Sequence, residues 1–331
     1  MAMKMLQSVC RSSSTQSLPK VSSPTSILSA AVELQPASHS VAHHLVRSGD
    51  RAHLAGRFGK ALLNYKRALR VFETDRETEP GHLVSCLNKI SQVCREQGMY
   101  REAELAAGRA FALGETKLPE GDRRTIAALN NLGAAYQAQE RFHRAEGAYV
   151  KALGMECLSG SQPDAHAART MNNLGIVLSH LGKESEAIDM FAGALAIFES
   201  LVEGLHPDIG ITLSNLAALY RKLGYLDIAE TLYVRANDNF VAVLGTAHPH
   251  SGMNFAALAG VYREQGRYGE AETLFRYAMM VLEETLGEGH ARVRGVMRNL
   301  AELYTHMGRP RDAFRIEARA FDGAHHAGVS Q

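Results

Sequence analysis

Apolar and polar positions along most of the chain follow a helical period, and they do so in paired blocks. In "TLSNLAALYRKLGYLDIAETLYVRA", residues 212 to 236, Leu213, Leu216, Ala217 and Tyr220 recur at the spacing of one helix face. After Gly224 a second apolar set, Ala229, Leu232, Tyr233 and Ala236, takes up the same spacing. The pattern predicts two amphipathic helices joined by a tight turn at Gly224, where a left-handed cap costs glycine little.

The same block returns along the chain. Its turn reads "AGRFGKA", "QGMYREA", "QERFHRA", "LGKESEA", "LGYLDIA", "QGRYGEA" and "MGRPRDA", with Gly56, Gly98, Glu140, Gly182, Gly224, Gly266 and Gly308 each 42 residues after the last. A second register runs through Ala61, Ala103, Ala145, Ala187, Ala229, Ala271 and Ala313, and a third through Ala68, Ala110, Ala152, Ala194, Ala236, Ala278 and Ala320. These alanines lie seven apart on one face of the second helix, where small side chains let helix backbones approach. Connectors such as "LVEGLHPDIG", "VLGTAHPHSG" and "TLGEGHARV" stop the second helix and start the next copy. A single hairpin cannot bury its own apolar face, so neighbouring copies must stack into one core. The expectation is an all-α solenoid of seven helix-turn-helix repeats over residues 42–322. It is preceded by a disordered Ser- and Pro-rich tail over residues 1–41 and followed by a flexible tail over residues 323–331.

Departures from the repeat mark particular positions. Ser48, Gly49 and Ala52 stand in the first copy where later copies carry a large aliphatic, a small residue and a tyrosine, which predicts an under-packed, fraying end. Glu140 replaces the turn glycine, and Pro310 fits the first position of a second helix. Asn237 replaces a Leu, Phe or Met and is read as a locally satisfied polar substitution or as a widened pocket.

Composition narrows the function. Of 331 residues, 36 are Lys or Arg and 35 Asp or Glu, so a net charge of +1 supplies no field for nucleic acid or an anionic membrane. Cys10, Cys86, Cys94 and Cys157 form no CxxC pair, which fits reduced thiols and a cytoplasmic location. No apolar run reaches the roughly 18 residues of a membrane span, so no integral membrane association is expected. Residues 1–41 have no acidic residue before Glu33, a composition that would also suit a transit peptide and an organellar location.

The recurring Gly-x-Tyr/Phe turn and alanine columns, with Leu and Tyr on the first helix, resemble the tetratricopeptide repeat. The 42-residue length and the "LG..HP" connector look like the variety found in kinesin light chains. The resemblance implies a right-handed superhelix whose first helices line a concave groove for peptides. The heptad coiled coil by which kinesin light chains engage their motor is missing, so no motor heavy chain is expected as a partner.

No catalytic motif is present, and neither a cofactor nor a metal is expected. His206, His248 and His290 recur with the repeat inside connectors, which suits a turn role. What remains is the groove face. Nine residues before each turn stand Arg47, Lys89, Asn131, Asn173, Asn215, Ala257 and Asn299, and an amide offers both a donor and an acceptor. One asparagine per repeat could hold the backbone of an extended peptide; the same row could also bridge neighbouring helices. Asn130 shares its place with Asn88 and Asn172 and is the more variable neighbour, expected to tune the row. Basic residues on this face, Arg47, Lys89, Arg95, Arg169, Arg221, Lys222, Arg263 and Arg298, outnumber Asp50, Glu96, Glu264 and Glu302, with Arg95, Arg221 and Arg263 at one equivalent position. The expected peptide-binding residues are Lys89, Asn131, Asn173, Asn215, Asn299, Arg95, Arg221 and Arg263. The expected function is a non-enzymatic scaffold or adaptor for an extended, acidic-hydrophobic segment of a partner protein. The alternative is a peptide-sensing subunit that controls a partner enzyme through superhelix flexing.

Overall fold

The structure, a computed structural model, describes residues 35–158, 162–202 and 204–327. Most of the expected N-terminal tail and the last four residues therefore lie outside the described residues. The described residues form fourteen helices and no strand. In chain order they are α1 (Gln35–Leu54), α2 (Phe58–Thr74), α3 (Pro80–Glu96), α4 (Tyr100–Lys117), α5 (Arg123–Ala138), α6 (Phe142–Leu158) and α7 (Ala165–His180). There follow α8 (Glu184–Leu201), α9 (Pro207–Lys222), α10 (Leu226–Leu244), α11 (Pro249–Glu264), α12 (Tyr268–Leu286), α13 (Ala291–His306) and α14 (Pro310–Ala327). The chain divides between Lys183 and Glu184 into two compact units, α1 to α7 and α8 to α14. Each is a stack of helical hairpins, an all-α solenoid arrangement. The first helix begins at Gln35, inside the stretch assigned to the tail, and the last runs to Ala327.

The turns are built alike. Gly56, Gly98, Gly182, Gly224, Gly266 and Gly308 have φ between 68° and 83°, and the next residue's N–H closes the preceding helix, as Arg267 N does on Tyr262 O at 2.9 Å. Glu140 holds the same left-handed turn at φ 57°, a conformation that glycine adopts freely and other residues do not. Pro310 opens α14 as expected.

Start signals follow the repeat as well. Twenty-four residues after the turn, Asp122 and Asp164 accept a hydrogen bond from Arg124 N and His166 N, capping α5 and α7. His206, His248 and His290 do the same for α9, α11 and α13 through Nδ1, at 3.1 to 3.2 Å from the N–H two residues on. The turn role expected of these histidines is an N-cap.

The alanine columns lie where helices touch. Ala61, Ala103, Ala145, Ala187, Ala229 and Ala271 are 0% exposed, and so are Ala68, Ala110, Ala152, Ala194, Ala236 and Ala278. An added methylene there meets a packed neighbour and costs about 1–3 kcal/mol. Large side chains fill what the alanines leave: Tyr65 and Tyr149 in the first unit, Phe240, Phe275 and Tyr304 in the second. The first repeat is closed, contrary to expectation. Gly49 is packed against the Tyr65 ring, Ala52 is buried, and Ser48 Oγ accepts a bond from Asn64 Nδ2 at 3.2 Å, so a polar pair stands where later repeats have an apolar one. Asn237 is not locally satisfied: its Oδ1 is buried without a hydrogen-bond partner among the described residues.

Candidate functional site

Within each unit the first helices touch the next first helix, α3 against α5 and α5 against α7, then α9 against α11 and α11 against α13. Their outward sides form one face per unit. The sequence places its eight candidate residues on these faces, and the structure divides them by what each side chain does.

In the first unit Lys89 Nζ lies 2.7 Å from Asp50 Oδ1, which also accepts from Tyr65 Oη at 2.7 Å, so Lys89 ties α3 to α1. Asn131 Nδ2 donates to Asn88 Oδ1 at 3.3 Å, across α5 and α3. Arg95 is half-buried beside Tyr149, with its Nε buried and without a hydrogen-bond partner. Burial pushes the Tyr149 phenol up, and Arg95 opposes that rise. Asn173 is half-buried on α7 and has no hydrogen-bond partner among the described residues.

In the second unit Arg221 Nε and Nη2 reach Glu264 Oε1 at 2.9 and 2.6 Å. Burial works against the Arg221 charge, and the Glu264 carboxylate outweighs it, so the guanidinium pKa stays above its ordinary value. Arg263 Nη1 pairs with Glu302 Oε2 at 2.5 Å. Asn215 is half-buried and Asn299 is exposed. The basic stripe of Arg221 and Arg263 is thus neutralised by acidic residues of the following first helix.

The position before the row carries a stacking role. Asn88 Nδ2 donates to Arg124 O at 2.9 Å, Asn130 Nδ2 to Thr170 Oγ1 at 2.8 Å, and Ser214 Oγ to Asn254 Oδ1 at 2.7 Å. Asn130 therefore ties α5 to α7 rather than tuning the row.

A second ladder, not anticipated, runs along the turns. The basic residue after the turn pairs with a glutamate 37 residues earlier: Arg141 with Glu104, Lys183 with Glu146, Arg267 with Glu230 and Arg309 with Glu272, at 2.5 to 2.9 Å. Three of these guanidiniums also lie over the tyrosine that ends the first helix, Arg141 on Tyr136, Arg267 on Tyr262 and Arg309 on Tyr304. Where Met99 and Tyr225 replace the cation, Leu62 and Ile188 replace the glutamate. That matched exchange, spaced 37 residues apart, was the available sequence signal.

One cavity, about 470 Å³, opens on the first-helix face of the second unit. Ala256, Ala257, Gly295, Val296 and Met253 make up its apolar floor, the part of the lining without polar side-chain groups. Arg221, Arg292, Arg298, Asn299 and Glu302 supply its polar lining. It brings Asn299 and Arg221 of the expected set together and leaves Arg263 outside, joined to it through Glu302. Arg292, Met253 and Gly295 were not singled out from the sequence; Ala257 was visible only as a gap in the asparagine row. Among the described residues no group of three or more His, Cys, Asp or Glu could hold a metal ion, and no helix is long and apolar enough to cross a membrane.

The tetratricopeptide repeat family model matches residues 166–240 and 252–324, and a second model of the same repeat matches residues 125–155. No curated protein matches the chain by sequence. Among solved structures, nearly identical repeats assigned to a kinesin light chain of Podosopora anserina are 19% identical, with a TM-score of 0.53, covering 62% of this chain and 97% of that one. The apo form of RapI is 17% identical with a TM-score of 0.66, covering 87% and 99% of the two chains. A Rap protein complexed with competence and sporulation factor is also 17% identical, with a TM-score of 0.64 and coverage of 88% and 76%. At these identities the likeness is one of fold.

Proposed function

Because the chain belongs to the tetratricopeptide repeat family, with repeats of the kinesin-light-chain-like type and a fold that serves as a protein-interaction scaffold, we propose that its first-helix faces bind an extended peptide segment of a partner protein. One observation carries this reading: an open cavity of about 470 Å³ on such a face, with an apolar floor and an exposed asparagine amide, Asn299, at its edge. In the first unit Asn173 offers an amide that no neighbour uses among the described residues. Lys89, Asn131, Arg221 and Arg263 hold helices together and position this surface instead of meeting ligand first. The scaffold is a non-enzymatic adaptor, and the partner segment mixes acidic with apolar residues, in keeping with the arginines and alanines around the cavity.

The test is capture of partner protein by immobilised chain. Asn173→Ala and Asn299→Ala together should weaken capture about tenfold, as expected for two lost hydrogen bonds of about 0.5–1.5 kcal/mol each, with helicity and melting unchanged. Undiminished capture sinks the reading. A second reading, a peptide-sensing regulatory subunit, draws on the likeness to a Rap protein solved with a bound factor. A ligand-dependent change in solution scattering separates it from a passive adaptor.

A further inference from the structure

We infer that the cavity of the second unit is an oxyanion subsite, held by Arg292 and Arg298, that takes a phosphorylated side chain of the bound peptide. The inference rests on the peptide-binding reading and names the chemistry of one position within it.

The cavity exists because two side chains are cut back. In the asparagine row the sixth repeat has Ala257, and thirteen residues before the last turn stands Gly295, where earlier repeats carry His43, Ser85, Ala127, Arg169, Ile211 and Met253. Other first-helix glycines are demanded by packing: a Cβ at Gly49, Gly133 or Gly210 would meet the ring of Tyr65, Tyr149 or Phe240 within 3.0 Å. A Cβ at Gly295 meets nothing within 4 Å. Glycine inside a helix costs about 1 kcal/mol relative to alanine, so the fold loses stability here and the open floor is what it gains.

The charges select the ligand. Arg221 is neutralised by Glu264, and Glu302 by Arg263. Arg292 and Arg298 line the same cavity, are exposed, and have no acidic partner among the described residues. Two unneutralised guanidiniums beside one cavity match a doubly charged phosphoryl group, whose oxygens accept the paired N–H bonds of an arginine fork; a carboxylate would cancel only one of them. The apolar floor of Ala256, Val296 and Met253 suits the body of a bulky side chain, phosphotyrosine above all.

The experiment is fluorescence anisotropy on the full chain with a labelled nine-residue Ala/Ser peptide carrying a central phosphotyrosine, and its twins with phosphoserine, glutamate or tyrosine. The phosphotyrosine peptide should bind at least tenfold more tightly than the tyrosine twin, and Arg292→Gln with Arg298→Gln should erase the difference. Gly295→Leu should weaken binding of every twin while leaving melting unchanged or higher, because it fills the cavity without touching the core. Arg235→Gln, on the second helix α10 of the same unit and outside the cavity lining, should leave all affinities unchanged. Glutamate binding equal to phosphotyrosine, and lost in the double arginine variant, keeps the oxyanion subsite but assigns it to carboxylates. Equal affinity for phosphotyrosine and tyrosine, a preference that survives the arginine changes, or no binding of any twin at millimolar concentration overturns the subsite. If that happens while Asn173→Ala and Asn299→Ala still weaken partner capture, the peptide-binding reading stands without it.

Discussion

Glu140 stands at φ 57° in a turn that six other repeats make with glycine. A side chain in this conformation costs roughly 1–2 kcal/mol, so Glu140→Gly should raise the unfolding free energy by about 1 kcal/mol in urea titration. Asn237 keeps a buried amide oxygen without a partner at a position where Leu69, Leu153 and Leu195 stand in other repeats. Asn237→Leu should stabilise by about 1–2 kcal/mol, since an unsatisfied buried acceptor is removed and apolar area is added; a lower midpoint would show that the amide has a partner in solution. Glu156 is a carboxyl whose setting gives a clear pH signature. Burial pushes its pKa up to about 7, Asp164 adds to the rise, and Arg123 opposes it. Because the folded state holds the proton more tightly than the unfolded chain, the contribution is full below about pH 4.5 and is lost as pH rises through about 7. Glu156→Gln should therefore match the wild type near pH 5 and melt several degrees higher near pH 8.

Five of the first helices, α5, α7, α9, α11 and α13, carry a side-chain cap, and the two units make it with different chemistry. Asp122 and Asp164 cap with carboxylates, whereas His206, His248 and His290 cap with an imidazole Nδ1. His248→Asp should raise stability by about 0.5–1 kcal/mol, because a carboxylate is the better acceptor and complements the positive end of the helix, as followed by slower amide exchange in α11. The turn ladder behaves as a matched pair of residues. Arg267→Met alone leaves Glu230 with Gln265 but without its cation, while Arg267→Met with Glu230→Leu reproduces the Met99 and Leu62 pair that the first junction already uses. The double variant should melt within a few degrees of wild type and above the single variant.

Stacked repeats interact mainly with their neighbours, so damage stays local. Phe275, fully buried in the second unit, should cost about 3–5 kcal/mol when changed to Ala. Amide protection should fall in α11 to α13 and persist in α3 to α6; a uniform loss would mean one cooperative block. The fold was legible because helix choice depends on spacing within about seven residues, and the stacking on alanines repeated every 42. The row of asparagines was legible only as a row. Asn131 meets Asn88, 43 residues away, and Arg263 meets Glu302, 39 away, while Asn173 has no such partner. No single period predicts which side chains meet, because reach across two helices depends on side-chain length and on what the neighbour offers. The sequence by itself determined the helices, their turns and caps, and the columns on which they pack, since these follow from local spacing and residue size. Only the tertiary structure decided which polar residues of the first-helix faces are consumed in holding helices together. It also showed that trimming Ala257 and Gly295 leaves a cavity beside two arginines with no acidic partner among the described residues, because a hydrogen bond or a void exists only once neighbouring helices are set at contact distance.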